Sequence, residues 1–257
     1  MSFDVAAEAY DAFMGRWSRQ LSSGLADFAG IRPGERALDV GCGTGALTGE
    51  LARRLGAERV AAVDPSPSFV ATIADRFPGV DVQQAKAAEL PFADDVFDAA
   101  LAQLVVHFMP DPVAGVREMG RVTRPGGVVA ACVWDYAGDR GPLGVFWEAA
   151  RAVDPDAPGE ASLPGTRAGH LAEILTGAGL IDVTDAELSA RIEHADADEW
   201  WAPFTTGAGP AGAYVAGLPA DTRARLEAEC RRRLGDGPVI VEAVAFATRG
   251  RVAARHR

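Results

Sequence analysis

From Arg36 onward the chain alternates short apolar runs with segments in which apolar positions recur every three or four residues. A short apolar run suits a strand buried on both faces, whereas the longer period is that of a helix with one face turned inward. The runs predict strands at Ala37–Val40, Val60–Asp64, Val80–Gln84, Phe97–Val106 and Gly127–Trp134, with helices at about Ala46–Leu55, Ser66–Phe77 and Pro112–Val122. Arg124-Pro125-Gly126-Gly127 is expected to end the last helix and turn the chain into the next strand. Strands alternating with helices imply βαβ units and a mostly parallel sheet.

The flanks read differently. Tyr10, Phe13, Met14 and Trp17 stand at helical spacing in a segment before the sheet, so that face packs onto something. Tyr136 to Gly169 is rich in Gly, Pro, Asp and Ala and reads as an excursion from the sheet, with one helix at about Val145–Val153. Later elements are predicted at Leu171–Ala178 (helix), Ile181–Leu188 (strand), Asp221–Leu234 (helix) and Val239–Thr248 (strand), and Gly207–Ala213 reads as a flexible loop. The division that follows is a helical lid over 1–30, a core over 31–135, and 136–257 as the acceptor-side excursion and completion of the sheet, one continuous domain overall.

Composition narrows the possibilities. With 257 residues and 48% hydrophobic content the chain can fill a sizeable interior. Its formal net charge of −11 argues against a nucleic-acid partner. The run Arg231-Arg232-Arg233 shares its predicted helix with Glu227 and Glu229 and reads as a solvated face. Cys42, Cys132 and Cys230 have no close spacing, so neither a disulfide framework nor a metal site is expected, and a reducing cytoplasm fits. Neither a signal peptide nor a membrane span is expected.

The candidate chemistry lies in ALDVGCGTGALTGELARRL, residues 37–55, where a strand ends in three glycines at alternate positions and a helix begins. Such a turn presents backbone N–H groups and the positive end of a helix dipole to anionic or strongly polar ligand groups. Gly41, Gly43 and Ala46, with Asp64 about 20 residues on, also satisfy the loose dinucleotide pattern, which keeps an NAD(P)-dependent oxidoreductase open. A carboxylate at the end of the second strand can accept from both hydroxyls of an adenosine ribose.

Four motifs in order narrow this further. LDVGCGTG (38–45), AAVDPSPSFV (61–70), LPFADDVFD (90–98) and RVTRPGG (121–127) resemble those of class I S-adenosylmethionine-dependent methyltransferases of type 11. Within these, the likeness is to the small-molecule branch related to ubiquinone and menaquinone C-methyltransferases and natural-product methyltransferases. The resemblance covers about residues 30 to 190. It implies an α/β, Rossmann-like, doubly wound fold: a seven-stranded, mostly parallel sheet with an antiparallel last strand.

By the same resemblance, Gly41, Cys42 and Gly43 lie beneath the methionine part of S-adenosyl-L-methionine, and Asp39 helps hold that turn and the amino group. Asp64 binds the ribose hydroxyls and Pro65 packs on the adenine. Ala87, Ala88 and Glu89 meet the adenine edge, Leu90 borders the ring, and the Gln103 backbone faces the methionine moiety. Lys86 stands where many relatives carry an acid that accepts from the adenine amino group, leaving that role to Glu89 or to backbone.

Several residues keep two readings. His107, just past the fourth strand, is either a general base for the acceptor or a loop residue bonded to a carbonyl. Tyr10 and Trp17 either pack or form a lid over the cofactor, with Arg16 reaching the methionine carboxylate. Trp200, Trp201 and Phe204 either wall an acceptor pocket or pack beneath the excursion. Cys42 reads as chemically inert, Asp94 and Asp95 as a turn, and His170 and His194 as structural. The expected activity is methyl transfer to an O, N or C atom of a small molecule, and a catalytically silent cofactor-binding regulator is the remaining alternative.

Overall fold

The structure is a computed structural model and describes residues 11–254. Strands β1 (Ala37–Val40), β2 (Val60–Asp64), β3 (Asp81–Gln84), β4 (Phe97–Gln103), β5 (Thr123–Trp134), β6 (Ile181–His194) and β7 (Val239–Arg251) form one sheet in the order β3-β2-β1-β4-β5-β7-β6. The first five are parallel and β7 runs antiparallel to both its neighbours. The helices are α1 (Arg16–Ala29), α2 (Ala46–Leu55), α3 (Pro67–Arg76), α4 (Pro112–Val122), α5 (Gly144–Val153), α6 (His170–Gly177), α7 (Ala197–Trp201), α8 (Gly209–Gly217) and α9 (Ala220–Leu234).

Alternating side chains sort the interior into two layers. Leu38, Val40, Ala100, Ala102, Val129 and Val133 face α4 and α6, packing with Met119 and Leu175. Ala37, Leu101, Ala130, Cys132 and Trp134 face the other way, toward Leu21 and Leu25 of α1 and Leu51 of α2. Both faces are covered, so both residue sets along a central strand are apolar. Asp39, 1% exposed, is a polar exception on the α1/α2 face.

The strand order reverses direction at β1, whose neighbours are β2 on one side and β4 on the other. In open parallel sheets the crevice outside the strand carboxyl ends at that switch point is where ligands bind. The chain puts Gly41, Asp64 and Gln103 there.

The structure corrects several predicted boundaries. β4 stops at Gln103 instead of Val106, because Leu104 takes a left-handed φ of 60° and the chain then coils into a short turn, Val106–Phe108. α4 already ends at Val122, and Arg124–Gly127 form a bulge within β5, where the register shifts between Phe97 and Ala99. The expected loop at Gly207–Ala213 gives way to α8 from Gly209. Its small residues permit close packing: a Cβ at Gly212 would stand 2.7 Å from the Gly207 backbone. β6 runs on to His194, since alternating exposed and buried positions of an edge strand read as polar beyond Leu188.

Candidate active site

The turn after β1 is built by its backbone. Gly41 and Cys42 donate N–H bonds to the Val63 carbonyl at 2.8 and 3.0 Å, pinning the turn to the end of β2. Gly41 and Gly45 take φ of 73° and 90°, a region costly to residues with a Cβ. A Cβ on Gly41 would stand 2.5 Å from Val105, and one on Gly45 2.5 Å from Ile73, whereas nothing lies within 4 Å of the Cβ position on Gly43. Two glycines thus serve packing, and the middle one faces open space.

Asp64 ends β2 almost fully buried. Its Oδ2 accepts from the Gly43 N–H at 3.0 Å and its Oδ1 from the Ser66 N–H at 2.8 Å. Burial raises its pKa, partly offset by those two bonds. Each oxygen keeps a lone pair, enough to accept from a pair of vicinal hydroxyls. The Ser66 contact also shows the carboxylate shaping the start of α3, so a structural role and a binding role coexist in one residue.

A small cavity opens beside the turn, lined by Ser18, Asp39, residues 41–44 and Gln103–Val105 among others. Asp39 accepts from the Thr48 hydroxyl at 2.6 Å, and burial pushes its pKa to about 7 with Asp64 adding to the rise. Gln103 donates from Nε2 to the Ser18 carbonyl at 2.9 Å, while its Oε1, buried, has no hydrogen-bond partner. An orphaned acceptor beside a buried carboxyl suits a ligand ammonium group. The open space at Gly43 suits close approach by the same ligand.

A second, small cavity adjoins the first at Leu104, which lines both. His107 lies in its wall, 4% exposed, its Nδ1 without a hydrogen-bond partner. Burial pushes the imidazole down to about 3, so it is neutral at cellular pH. Trp134 Nε1 is likewise buried without a partner. Glu160, 3% exposed, accepts from the Trp147 indole at 2.9 Å, and burial raises its pKa to about 7.

The remaining expected site residues fall in different places. Cys42 lines the first cavity with its thiol pushed well up by burial, as an inert residue should be. Pro65 is exposed at the end of β2, its carbonyl accepting from Gln84 Nε2. Ala87, Ala88 and Glu89 form a turn beyond β3, closed by the Glu89 N–H to the Lys86 carbonyl at 3.0 Å, and do not line the first cavity. Trp17 packs edge-on against Trp134 at 5.9 Å and is absent from both linings. Arg16 reaches away, to Glu199 at 3.0 Å and the Glu193 carbonyl at 2.8 Å. Tyr10 lies outside the described residues.

Trp200, Trp201 and Phe204 are buried behind the second cavity: Phe204 stacks on Phe146 at 4.5 Å and meets Phe13 edge-on at 5.3 Å. Their packing reading holds. Leu104, Ser18 and Glu160 line the cavities without having been singled out in the sequence. Leu104 and Ser18 carry no chemical signal of their own, and Glu160 sits in a segment with no periodicity.

Residues 38–131 match the family described as the methyltransferase domain. A demethylmenaquinone methyltransferase of Mycolicibacterium paratuberculosis is 39% identical to the chain over 138 residues, 51% of this chain and 56% of that protein. The chain thus spans little more than half the length of such curated relatives. A phosphoethanolamine N-methyltransferase of Haemonchus contortus, solved with phosphomonomethylethanolamine and S-adenosylhomocysteine, superposes at a TM-score of 0.58 and 17% identity over 95% of this chain and 56% of that one. The cyclase SpnF superposes at 0.55 and 23% identity over 92% of this chain and 81% of that one. At these identities the structural likeness is one of fold, shared by a methyltransferase domain and a cyclase alike.

Proposed function

We propose that the protein transfers a methyl group from S-adenosyl-L-methionine to a small-molecule acceptor. The observation that carries the reading is the Asp64 carboxylate bonded to the Gly43 N–H, which joins acid and glycine turn into one crevice at the switch point of the sheet. When bound, S-adenosyl-L-methionine supplies a methyl group already activated on a sulfonium, so the protein's task is chiefly to orient the partners and exclude water.

The residues divide that task. Asp64 accepts from the ribose hydroxyls, with Pro65 and the Ala87–Glu89 turn on the adenine side. Asp39 and Gln103 Oε1 take the amino group, and the backbone of Gly41, Cys42 and Gly43 supports the methionine tail. Arg16 is engaged elsewhere, so the tail's carboxylate is left to backbone N–H groups of the turn. His107 offers a neutral Nδ1 to an acceptor hydroxyl or amine; with a pKa near 3 it orients the nucleophile and does not store a proton. The elements after Trp134 complete the acceptor side.

A soluble, cytoplasmic setting without a nucleic-acid partner fits the acidic charge and the three buried free cysteines. Among the described residues, no helix is long and apolar enough to cross a membrane.

Calorimetric titration with S-adenosylhomocysteine and with NADH tests this reading. The wild type is expected to bind the first and ignore the second, and Asp64→Ala to lose at least about 30-fold in affinity while keeping its far-ultraviolet spectrum, as removal of hydrogen bonds to a charged group implies. Unchanged affinity in the variant, or preference for NADH, would count against it.

A further inference from the structure

The second cavity has an unusual composition for a pocket beside a methyl-transfer crevice. Among the described residues, four aromatics, Phe13, Phe108, Trp134 and Tyr136, stand in its wall with one acid, Glu160, and no lysine or arginine. Glu160 is 3% exposed, and only its Oε2 is bonded, to the Trp147 indole. Among the described residues Oε1 has no hydrogen-bond partner, and no cation lies within ion-pair distance of the carboxyl. The neighbouring cavity shares Tyr136 and Glu160 with this one and contains Arg151, but that guanidinium faces Asp139 at 3.6 Å.

A buried acid without a counter-charge is costly in a folded core, and its retention in a cavity wall points to a ligand that supplies the missing charge. Aromatic faces favour cations as well, through the ring quadrupole. An anionic acceptor would meet only repulsion from Glu160 here. A neutral hydroxyl would satisfy Oε1 but leave the charge unopposed.

We propose that this second cavity is the acceptor subsite and selects a small amine arriving as its ammonium ion, with the aromatic rings as walls and Glu160 as counter-charge and as acceptor of the N–H proton, whose departure frees the nitrogen lone pair to take the methyl as the S–CH₃ bond breaks. The assignment rests on the methyltransferase reading for the identity of its neighbour, the first cavity. Its place favours such an amine: Leu104 lines both cavities, so a ligand held by Glu160 occupies the space next to the crevice. The burial that pushes Glu160 up to about 7 is the cost that a bound cation offsets.

The test uses the full chain and a matched pair of probes, 2-phenylethylamine and 2-phenylethanol, which differ in charge and little in shape. Binding is followed by ligand-observed NMR, with and without saturating S-adenosylhomocysteine. The amine is expected to bind at least about tenfold tighter than the alcohol at about pH 8, where Glu160 is ionised. Glu160→Gln keeps an oxygen for the Trp147 indole and removes the charge; it is expected to cut the preference to within about twofold with S-adenosylhomocysteine affinity unchanged. An alcohol bound as tightly as the amine, neither probe bound at about 10 mM, or a preference that survives Glu160→Gln would each overturn the proposal. Should Glu160→Gln not fold, the wild-type comparison decides alone. Failure to bind S-adenosylhomocysteine would instead strike the methyltransferase reading, and the amine preference would still be read on the chain by itself.

Discussion

At the residue scale, the site is marked by groups whose ordinary chemistry has been displaced by burial. Glu160 ionises near 7 in the folded chain and near 4.5 when exposed, so the folded state holds the extra proton between those values. Its favourable contribution is present below about pH 4.5 and lost as pH rises through about 7. His107 has the opposite sign: the unfolded chain binds its proton below the usual 6.5, so that contribution is present above 6.5 and lost as pH falls toward about 3. Glu160→Gln should therefore match the wild type in thermal melts near pH 5 and exceed it near pH 8, by up to roughly 3 kcal/mol or several degrees. Equal melting temperatures at both values would show that Glu160 is not desolvated as described. Of these residues His107 was visible in the sequence and Glu160 was not. A histidine just past a strand end is conspicuous in an open sheet, whereas Glu160 owes its role to Trp147 and to the cavity around it, which only packing brings together.

At the element scale, the glycine turn alternates crowded and open positions, Gly41 and Gly45 packed and Gly43 facing open space. Gly41→Ala forces a Cβ against Val105 from a left-handed φ of 73° and is expected to cost about 3 kcal/mol in denaturant unfolding. Gly43→Ala meets no atom within 4 Å, so it should cost only the left-handed penalty of about 1–2 kcal/mol while abolishing S-adenosylhomocysteine binding. Retained binding in Gly43→Ala would place the ligand elsewhere. The turn and the first five strands were legible because apolar periodicity and turn chemistry are local properties. The end of β4 was not, since Leu104 turns the chain against its own apolar run, with its N–H held by the Cys132 carbonyl at 2.9 Å. The helix α1 likewise shows its apolar face in sequence without its destination: Leu21 and Leu25 are 1% and 0% exposed against the sheet, so α1 is a core element. It is the short turn ahead of it, Asp11–Gly15, that meets the site, through Asp11 accepting from the Thr44 hydroxyl at 3.0 Å and Phe13 and Met14 in the wall of the second cavity.

Across the whole molecule, one sheet places both cavities at the carboxyl ends of its central strands, with the first lined from the first half of the chain and the second by residues between Phe13 and Pro210. The basic run Arg231–Arg233 is paired with Glu227 and Glu229 one turn back on α9, and with Asp198 and Glu148 outside it. The central claim is that an adenosine ribose rests on Asp64 while an amino-acid tail lies over Gly43 toward Asp39 and Gln103. A crystal structure of the protein grown with S-adenosylhomocysteine tests it most directly. The account requires both ribose hydroxyls within hydrogen-bond reach of the Asp64 carboxylate and the ligand's amino group on Gln103 Oε1. A ligand whose ribose lies away from Asp64, or a crevice closed by the protein's own side chains, would contradict it.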